Sequence, residues 1–327
     1  MSSAITTEQL VKHYTPEIRA VDGIDLDIPY GSIFAFLGAN GSGKTTTVRM
    51  LTTLLRPTGG SARVDGFDII REAAKVRERV GVALQEVSLD EIQTGRELLM
   101  LQARLYSVPG NRIRERVQQL LRIVDLEDAA DRLLKTYSGG MKRRLDLAAA
   151  LVHDPKIVFL DEPTTGLDPI SREAIWREVE ALNRSEGVTF FLTTQYLEEA
   201  DKLAGRVAII DRGRIVAEGS PAELKASIGA DVITVRVSNG NGEVDRARTA
   251  LSQLNGNAEV RTVDDSVVIY IKDGSTVIPR VVLLLNEANV PIEEVTLARP
   301  TLDDVFIRKT GHHMESEEPA ATEEEAS

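Results

Sequence analysis

The sequence predicts an α/β fold built around a phosphate-binding loop, followed by a smaller α+β domain. Three observations carry that expectation. Gly38-Ala-Asn-Gly-Ser-Gly-Lys-Thr45 fills every position of the phosphate-loop pattern, between the buried-strand run Ser32–Leu37 and the helix start Thr46–Leu51. Ile157-Val-Phe-Leu160 is a short apolar run ending in Asp161-Glu162-Pro163, as expected of a buried parallel strand that delivers two carboxylates. From Val232 onward the pattern reads strand, helix, strand, strand, helix, strand, the split βαβ order of ferredoxin-like domains.

Along the chain, Ala4–Ile28 alternates loosely, as antiparallel strands with a turn at Thr15-Pro16 would. The helix after the phosphate loop is expected to end near Arg56-Pro-Thr-Gly-Gly60, with short strands at Ala62–Gly66 and Val80–Leu84. Residues 93–106 and 111–126 carry apolar residues at helical spacing: Leu98, Leu101 and Leu105, then Val117, Leu120, Leu121 and Val124. Those read as ordinary core positions of a helical subdomain at about 88–145. Ile175–Leu182 reads as a helix and Val188–Thr193 as a strand, with Val207–Ile210 and Ile215–Glu218 a closing pair around Asp211-Arg-Gly213. Composition shifts after Gly219-Ser-Pro221, so the expected organisation is a main domain at 5–220, a linker at 221–231, an α+β domain at 232–309 and an acidic tail at 310–327.

In the smaller domain the strands are expected at 232–237, 258–263, 267–272 and 292–297, and the helices at 243–254 and 276–288, with Asn255-Gly256 and Asp273-Gly274 as punctuation. It holds no second phosphate loop, histidine cluster or basic-aromatic patch, which favours a regulatory or dimer-packing role. Leu302, Val305 and Phe306 fall on one side of a short helix with Asp303 and Asp304 exposed, a candidate docking segment for a partner chain or the main domain.

The chemistry follows from the loop. Gly38, Gly41 and Gly43, with Asn40 between them, let backbone N–H groups wrap a di- or triphosphate. Lys44 reaches the β/γ-phosphates, the Thr45 hydroxyl ligates Mg²⁺, and Thr46 opens a helix whose positive end faces the same anion. Asp161 is placed to hold Mg²⁺ through water, and Glu162 to polarise an attacking water, which argues for hydrolysis over binding alone. The bland alternatives are a glycine-rich turn and an ordinary helix cap. Each is weak once the two motifs occur in one chain.

Tyr137-Ser-Gly-Gly-Met-Lys-Arg-Arg144 opens a helix just ahead of the acidic strand and resembles the signature motif of ATP-binding cassette (ABC) ATPases. The resemblance covers about residues 5–220 through ordered motifs. It implies that Tyr14 stacks on the base, that Gln85 touches Mg²⁺ and the membrane partner, and that Thr165-Gly-Leu-Asp168 crosses a dimer interface. It further implies a mixed central sheet, an N-terminal antiparallel β part, and a homodimer with ATP bound between two cassettes. There, Lys44 of one copy faces Ser138, Gly139 and Gly140 of the other. Lys142, Arg143 and Arg144 stand against the dipole of that helix, so they are expected either to meet a phosphate or to form a solvated basic face.

Leu192-Thr-Thr-Gln-Tyr-Leu-Glu-Glu-Ala-Asp201 and Pro300-Thr-Leu-Asp-Asp-Val-Phe306 resemble the daunorubicin/doxorubicin-resistance branch of the family. Gln195 stands where most cassettes carry a histidine that contacts the γ-phosphate, a departure typical of this branch. Met141 replaces the usual glutamine and Tyr137 the usual leucine of the signature, leaving its nucleotide-facing residues intact. The implied function is an ATPase that energises export of a hydrophobic drug or natural product through a separate integral-membrane permease. A lipid exporter, a soluble cassette ATPase acting on ribosomes or DNA, and a small-molecule kinase are the alternatives. One phosphate loop, one signature and no long heptad insertion disfavour the soluble class, and Glu162 with Ser-Gly-Gly disfavours the kinase.

Composition agrees. The 327 residues include no cysteine, so neither a disulfide framework nor a thiolate metal site is expected. Apolar stretches reach only about six residues, against ~18 for a membrane span, and no charged-then-apolar leader precedes them. A peripheral protein on the cytoplasmic face of the membrane is expected. About half of the net charge of −12 comes from glutamates between His312 and Ser327, and the acidic remainder argues against nonspecific nucleic-acid binding. The tail reads as a solvated extension, and His312-His313 as an idle pair within it.

Overall fold

The computed structural model describes residues 3–85, 90–228, 231–237, 242–254, 258–271 and 274–313. The expected turn at Asn255-Gly256, Lys272, Asp273 and the tail after His313 lie outside them. The chain divides into two units, Met1–Glu218 and Gly219–Ser327.

The first unit begins with β1 (Ser3–His13) and β2 (Arg19–Pro29), antiparallel across the turn that holds Thr15-Pro16. Next come β3 (Ile33–Leu37), α1 (Lys44–Leu51), β4 (Gly59–Val64), β5 (Phe67–Asp68), α2 (Ala73–Arg79) and β6 (Val80–Ala83). α1 stops at Leu51, short of the expected Arg56-Pro57, because Thr52 leaves helical geometry and Thr53 adopts φ 65. Three helices follow, α3 (Gly95–Leu105), α4 (Gly110–Ile123) and α5 (Gly139–Ala150). The unit closes with β7 (Ile157–Asp161), α6 (Pro169–Glu186), β8 (Thr189–Thr194), α7 (Leu197–Leu203), β9 (Arg206–Asp211) and β10 (Arg214–Gly219).

Two sheets result. β2-β1-β4-β5 is antiparallel, and β10-β9-β3-β8-β7-β6 is the larger, with β9, β3, β8, β7 and β6 parallel. Arg212 (φ 46) and Gly213 (φ 79) both take the left-handed conformation required by a two-residue hairpin between β9 and β10. β3 is apolar throughout and β7 is apolar up to Asp161, as expected of strands covered on both faces. Phe191 on β8 lies 5.5–5.6 Å from the rings of Phe34, Phe36 and Phe159, so one buried aromatic fixes three adjacent strands. Each such ring contributes about 1.5–3 kcal/mol through burial. The strands that bear the sequence motifs therefore share a rigid floor.

The helical expectations need one correction. Leu98 is buried on α3, and Val117, Leu120, Leu121 and Val124 are buried on and beside α4, but Leu101 and Leu105 are 41% and 68% exposed. α3 buries Gly95, Leu98, Leu99 and Ala103, a stripe at helical spacing, which turns Leu101 and Leu105 away.

The second unit contains α8 (Pro221–Ala226), β11 (Asp231–Val237), α9 (Glu243–Leu251), β12 (Glu259–Val263), β13 (Ser266–Ile271), α10 (Gly274–Glu287), β14 (Ile292–Ala298) and α11 (Leu302–Thr310). Its sheet order, β12-β13-β11-β14 and antiparallel throughout, is the ferredoxin-like arrangement. Ile233, Val235, Val267 and Ile269 pack with Ala247, Leu251, Val281 and Leu285 of α9 and α10. Leu302, Val305 and Phe306 are buried inside this unit, where α11 lies against α8 and Arg308 donates to the carbonyls of Ser227 and Ile228. The expected docking face is thus already occupied. Asp304 is drawn into a capping box with Thr301, and His313 pairs with Asp303 at 3.4 Å.

Candidate functional site

The phosphate loop leaves the carboxyl end of β3, and Asp161 and Thr193 stand at the ends of β7 and β8 beside it. Ligands of parallel α/β sheets bind at that edge. Gly38 and Gly43 are required by close approach. A Cβ on Gly38 would lie 2.5 Å from the Ile210 carbonyl oxygen, and one on Gly43 (φ 112) 2.3 Å from that of Ala20. Gly41 needs its own freedom for φ 76.

Lys44 is only 4% exposed. Its Nζ donates to Gly38 O at 2.8 Å and Ala39 O at 3.0 Å, and pairs with Glu162 Oε1 at 3.2 Å. Burial lowers the pKa of this ammonium, while the charges of Glu162 and Asp161 act in the opposite direction. Glu162 also accepts from Gln85 Nε2 and Thr165 Oγ1, each at 3.3 Å. Its backbone takes φ 48, in the left-handed region.

Thr45 Oγ1 lies 3.2 Å from Asp161 Oδ1, which also accepts from Thr193 Oγ1 at 2.6 Å. Asp161 Oδ2 is buried with no partner, as is Ser42 Oγ. A buried carboxylate oxygen left unmet is costly unless a cation or donor arrives. A hard divalent cation with oxygen ligands fits Thr45, Asp161 and Gln85.

Ala20, Asn40, Gly41, Gly43, Lys44, Thr45, Thr46, Gln85 and Glu162 line one cavity of about 300 Å³. Of the expected site residues, Asn40, Gly41, Gly43, Lys44, Thr45, Thr46, Gln85 and Glu162 thus converge, Asp161 stands beside them through its bond to Thr45, and the others lie outside that lining. Tyr14 is half exposed on the β1–β2 turn, with the Lys12 ammonium 5.4 Å from its ring centre. Ser138 caps α5 by accepting the Met141 N–H at 3.2 Å, with Gly139 exposed and Gly140 packed against Ser171. Asp168 caps α6 and accepts the Ser171 hydroxyl at 2.6 Å, which holds its carboxyl below the usual range. Gln195 is buried, with Oε1 unpartnered.

The three basic residues of α5 do not form a solvated basic face. Lys142 pairs with Glu91 at 2.7 Å, Arg144 donates to Val124 O at 3.0 Å, and Arg143 is buried among main-chain carbonyls. Their charge is met by protein groups rather than by a solvated face. Thr193, which the sequence reading passed over, braces Asp161 and accepts the Glu162 N–H at 3.0 Å. The clue was Thr193-Thr194 closing an apolar strand just before Gln195, but its partner depends on the β7–β8 register. Glu199 was also missed. It is fully buried, accepts from Thr164 and Trp176, and has its pKa raised by burial.

Comparisons with known proteins agree with this geometry. Residues 21–165 match the family described as ABC transporter, and residues 219–310 match the ATP-binding protein DrrA1-3-like C-terminal domain. The chain is 46% identical to the daunorubicin/doxorubicin resistance ATP-binding protein DrrA of Streptomyces peucetius, over 98% of this chain and 97% of that protein. It is 40% identical to the Nod factor export ATP-binding protein I of Paraburkholderia xenovorans, over 96% of this chain and 99% of that protein. Among solved structures, cbiO1 of Clostridium perfringens, part of the transporter complex cbiONQ, aligns with TM-score 0.64 at 28% identity, covering 69% of this chain and 92% of that one. The dimeric cassette MJ0796 with ADP and Pi aligns with TM-score 0.60 at 26% identity, covering 66% and 98%.

Proposed function

The chain belongs to the ABC transporter family, in the branch of the daunorubicin/doxorubicin-resistance ATP-binding proteins, and from that premise we propose that it hydrolyses ATP to power efflux of a hydrophobic drug or natural product through a separate integral-membrane subunit. The observation that carries this reading is the cavity lined by Lys44, Thr45, Gln85 and Glu162, with Asp161 hydrogen-bonded to Thr45 beside it.

Lys44 and the loop N–H groups bind the phosphates, and α1 adds its positive end. Thr45, Asp161 and Gln85 would hold Mg²⁺, which neutralises phosphate charge when bound. Glu162 orients a water and takes its proton, kept in place by Gln85 and Thr165. Gln195 donates its amide N–H₂ toward the γ-phosphate. Tyr14, exposed on its turn, offers a ring face to the base. Ser138, Gly139 and Gly140 lie outside the Lys44 cavity, which supports a site completed by a second copy, with Asp168 on the crossing loop. No helix among the described residues is long and apolar enough to cross a membrane, consistent with a peripheral subunit at the cytoplasmic face.

Complementation in trans tests the shared site. Mixing Lys44→Ala and Ser138→Arg chains should restore one intact site per heterodimer. No recovery from two folded variants would count against it. For the cargo, cells carrying the chain and its membrane partner should accumulate less anthracycline than cells carrying a Glu162→Gln chain. Equal accumulation, with nucleotide-dependent export of a lipid instead, would favour the alternative of a lipid exporter.

A further inference from the structure

Arg143 lies on α5, five residues beyond Ser138, and is 5% exposed. A buried guanidinium must find acceptors for its N–H donors. Nε donates to Pro163 O at 2.9 Å, Nη2 to Asp161 O at 2.9 Å, and Nη1 to Leu84 O, with Asp146 Oδ2 at 3.3 Å completing the set. These carbonyls are not scattered. Asp161 and Pro163 flank Glu162 in the chain, Leu84 precedes Gln85, and the Gln85 and Glu162 side chains meet at 3.3 Å.

Glu162 is the residue that needs such support, because a left-handed backbone at a side-chain-bearing position persists only where its surroundings over-determine it. Two groups do so. Thr193 takes the Glu162 N–H through its carbonyl at 3.1 Å and its hydroxyl at 3.0 Å, and Arg143 takes the carbonyls on either side. Thr193 comes from the neighbouring strand, whereas Arg143 comes from the helix that begins at Ser138.

We propose that Arg143 is a positioning residue for hydrolysis, which sets Glu162 and Gln85 in place and ties both to the helix capped by Ser138. The proposal rests on the reading of Glu162 as the group that activates water. One planar, rigid fork spans the peptides that bracket Glu162, so any displacement of α5 reaches the carboxylate directly. Lysine keeps the charge but, as a point donor on a flexible stem, cannot span those carbonyls.

The test compares wild type, Arg143→Lys, Glu162→Gln and the double variant as full chains, measuring ATP turnover, equilibrium ATP affinity and thermal unfolding. Arg143→Lys is expected to lower kcat by ~10–100-fold while ATP affinity stays within ~3-fold. On the Glu162→Gln background the same change should lower the residual rate by no more than ~2-fold, because the group being positioned can no longer take a proton. Unchanged turnover in Arg143→Lys, or losses that multiply in the double variant, would overturn the proposal. Near-normal turnover in Glu162→Gln alone would instead sink the reading beneath it, and that outcome is independent of Arg143. If Arg143→Lys does not fold, Arg143→Gln carries the same comparison, since its amide donates without burying a charge. If neither folds, Arg143 serves stability and the assignment is wrong.

Discussion

Glu162→Gln should tighten ATP binding, destabilise the protein in the absence of nucleotide and stop turnover, all through one contact. Lys44 Nζ meets Glu162 Oε1 at 3.2 Å in a buried setting, and a bound phosphate must compete with that carboxylate for the same ammonium. Removing one partner of a buried pair commonly costs ~3–5 kcal/mol. Here Lys44 keeps two carbonyl acceptors and the charge of Asp161, so we assign about 1–2 kcal/mol to Glu162. That quantity leaves the resting protein and returns on binding, predicting ATP affinity ~5–30-fold tighter. Unfolding without nucleotide should come ~2–8 °C earlier. Loss of the general base should cost ~10²–10⁴-fold in turnover, and the ATP-bound dimer should persist on gel filtration. Nucleotide titration, thermal unfolding and phosphate release measure the three effects. Unchanged ATP affinity together with unchanged thermal stability would refute the energetic weight given to the Lys44–Glu162 pair, even if turnover were lost.

Gln195→Ala is predicted to slow turnover by ~10–100-fold, the loss of a hydrogen bond to a charged phosphate. Gln195→His should be tolerated but acquire a pH dependence near ~6.5 that the glutamine lacks; ATPase rates between pH 6 and 8 check both, and an alanine variant as fast as wild type would leave Gln195 only a structural part. Glu178, on α6 and beside Arg122 and Ile123 at the end of α4, has its carboxyl pushed by burial from 4.5 to about 7, with Oε2 unpartnered. Because the folded value is raised, its stabilising contribution is full below pH 4.5 and is lost as pH rises to about 7. Glu178→Gln should therefore unfold ~2–8 °C later than wild type at pH 8, from about 1–2 kcal/mol after discounting its exposed part, and the difference should shrink toward pH 5. No difference between the variants at either pH would show that the carboxylate is well solvated.

The phosphate-loop and acidic-strand motifs were legible because their chemistry is local. A glycine is forced wherever a Cβ would strike Ile210 O or Ala20 O, and a lysine and a threonine must follow at fixed spacing to reach phosphate and cation. Asp161-Glu162 could be read because an apolar strand delivers its last residues to the sheet edge. The split βαβ order was legible as alternation and punctuation, and the described strands and helices follow it.

Other features depended on neighbours that no local pattern names. Lys142, Arg143 and Arg144 look alike in sequence, yet one meets a glutamate, one a set of buried carbonyls and one the end of α4. Leu101 and Leu105 share an (i, i+4) spacing with core residues, but which stripe of α3 turns inward is set by what packs against it. Leu302, Val305 and Phe306 form the apolar side expected of them, and α8, too distant in sequence to be foreseen, helps to cover it.

By itself, the sequence determined the phosphate loop of a nucleoside-triphosphate hydrolase and the strand-end pair Asp161-Glu162, each specified by residue type and spacing. Only the tertiary structure decided how Glu162 is held. Its left-handed backbone is braced from β8 by Thr193 and from α5 by Arg143, through bonds that span 31 residues for Thr193 and 18 and 20 for Arg143. Motif chemistry is written in nearest neighbours along the chain, whereas the positioning of a carboxylate comes from strand register and helix packing, which bring together residues that the chain keeps apart.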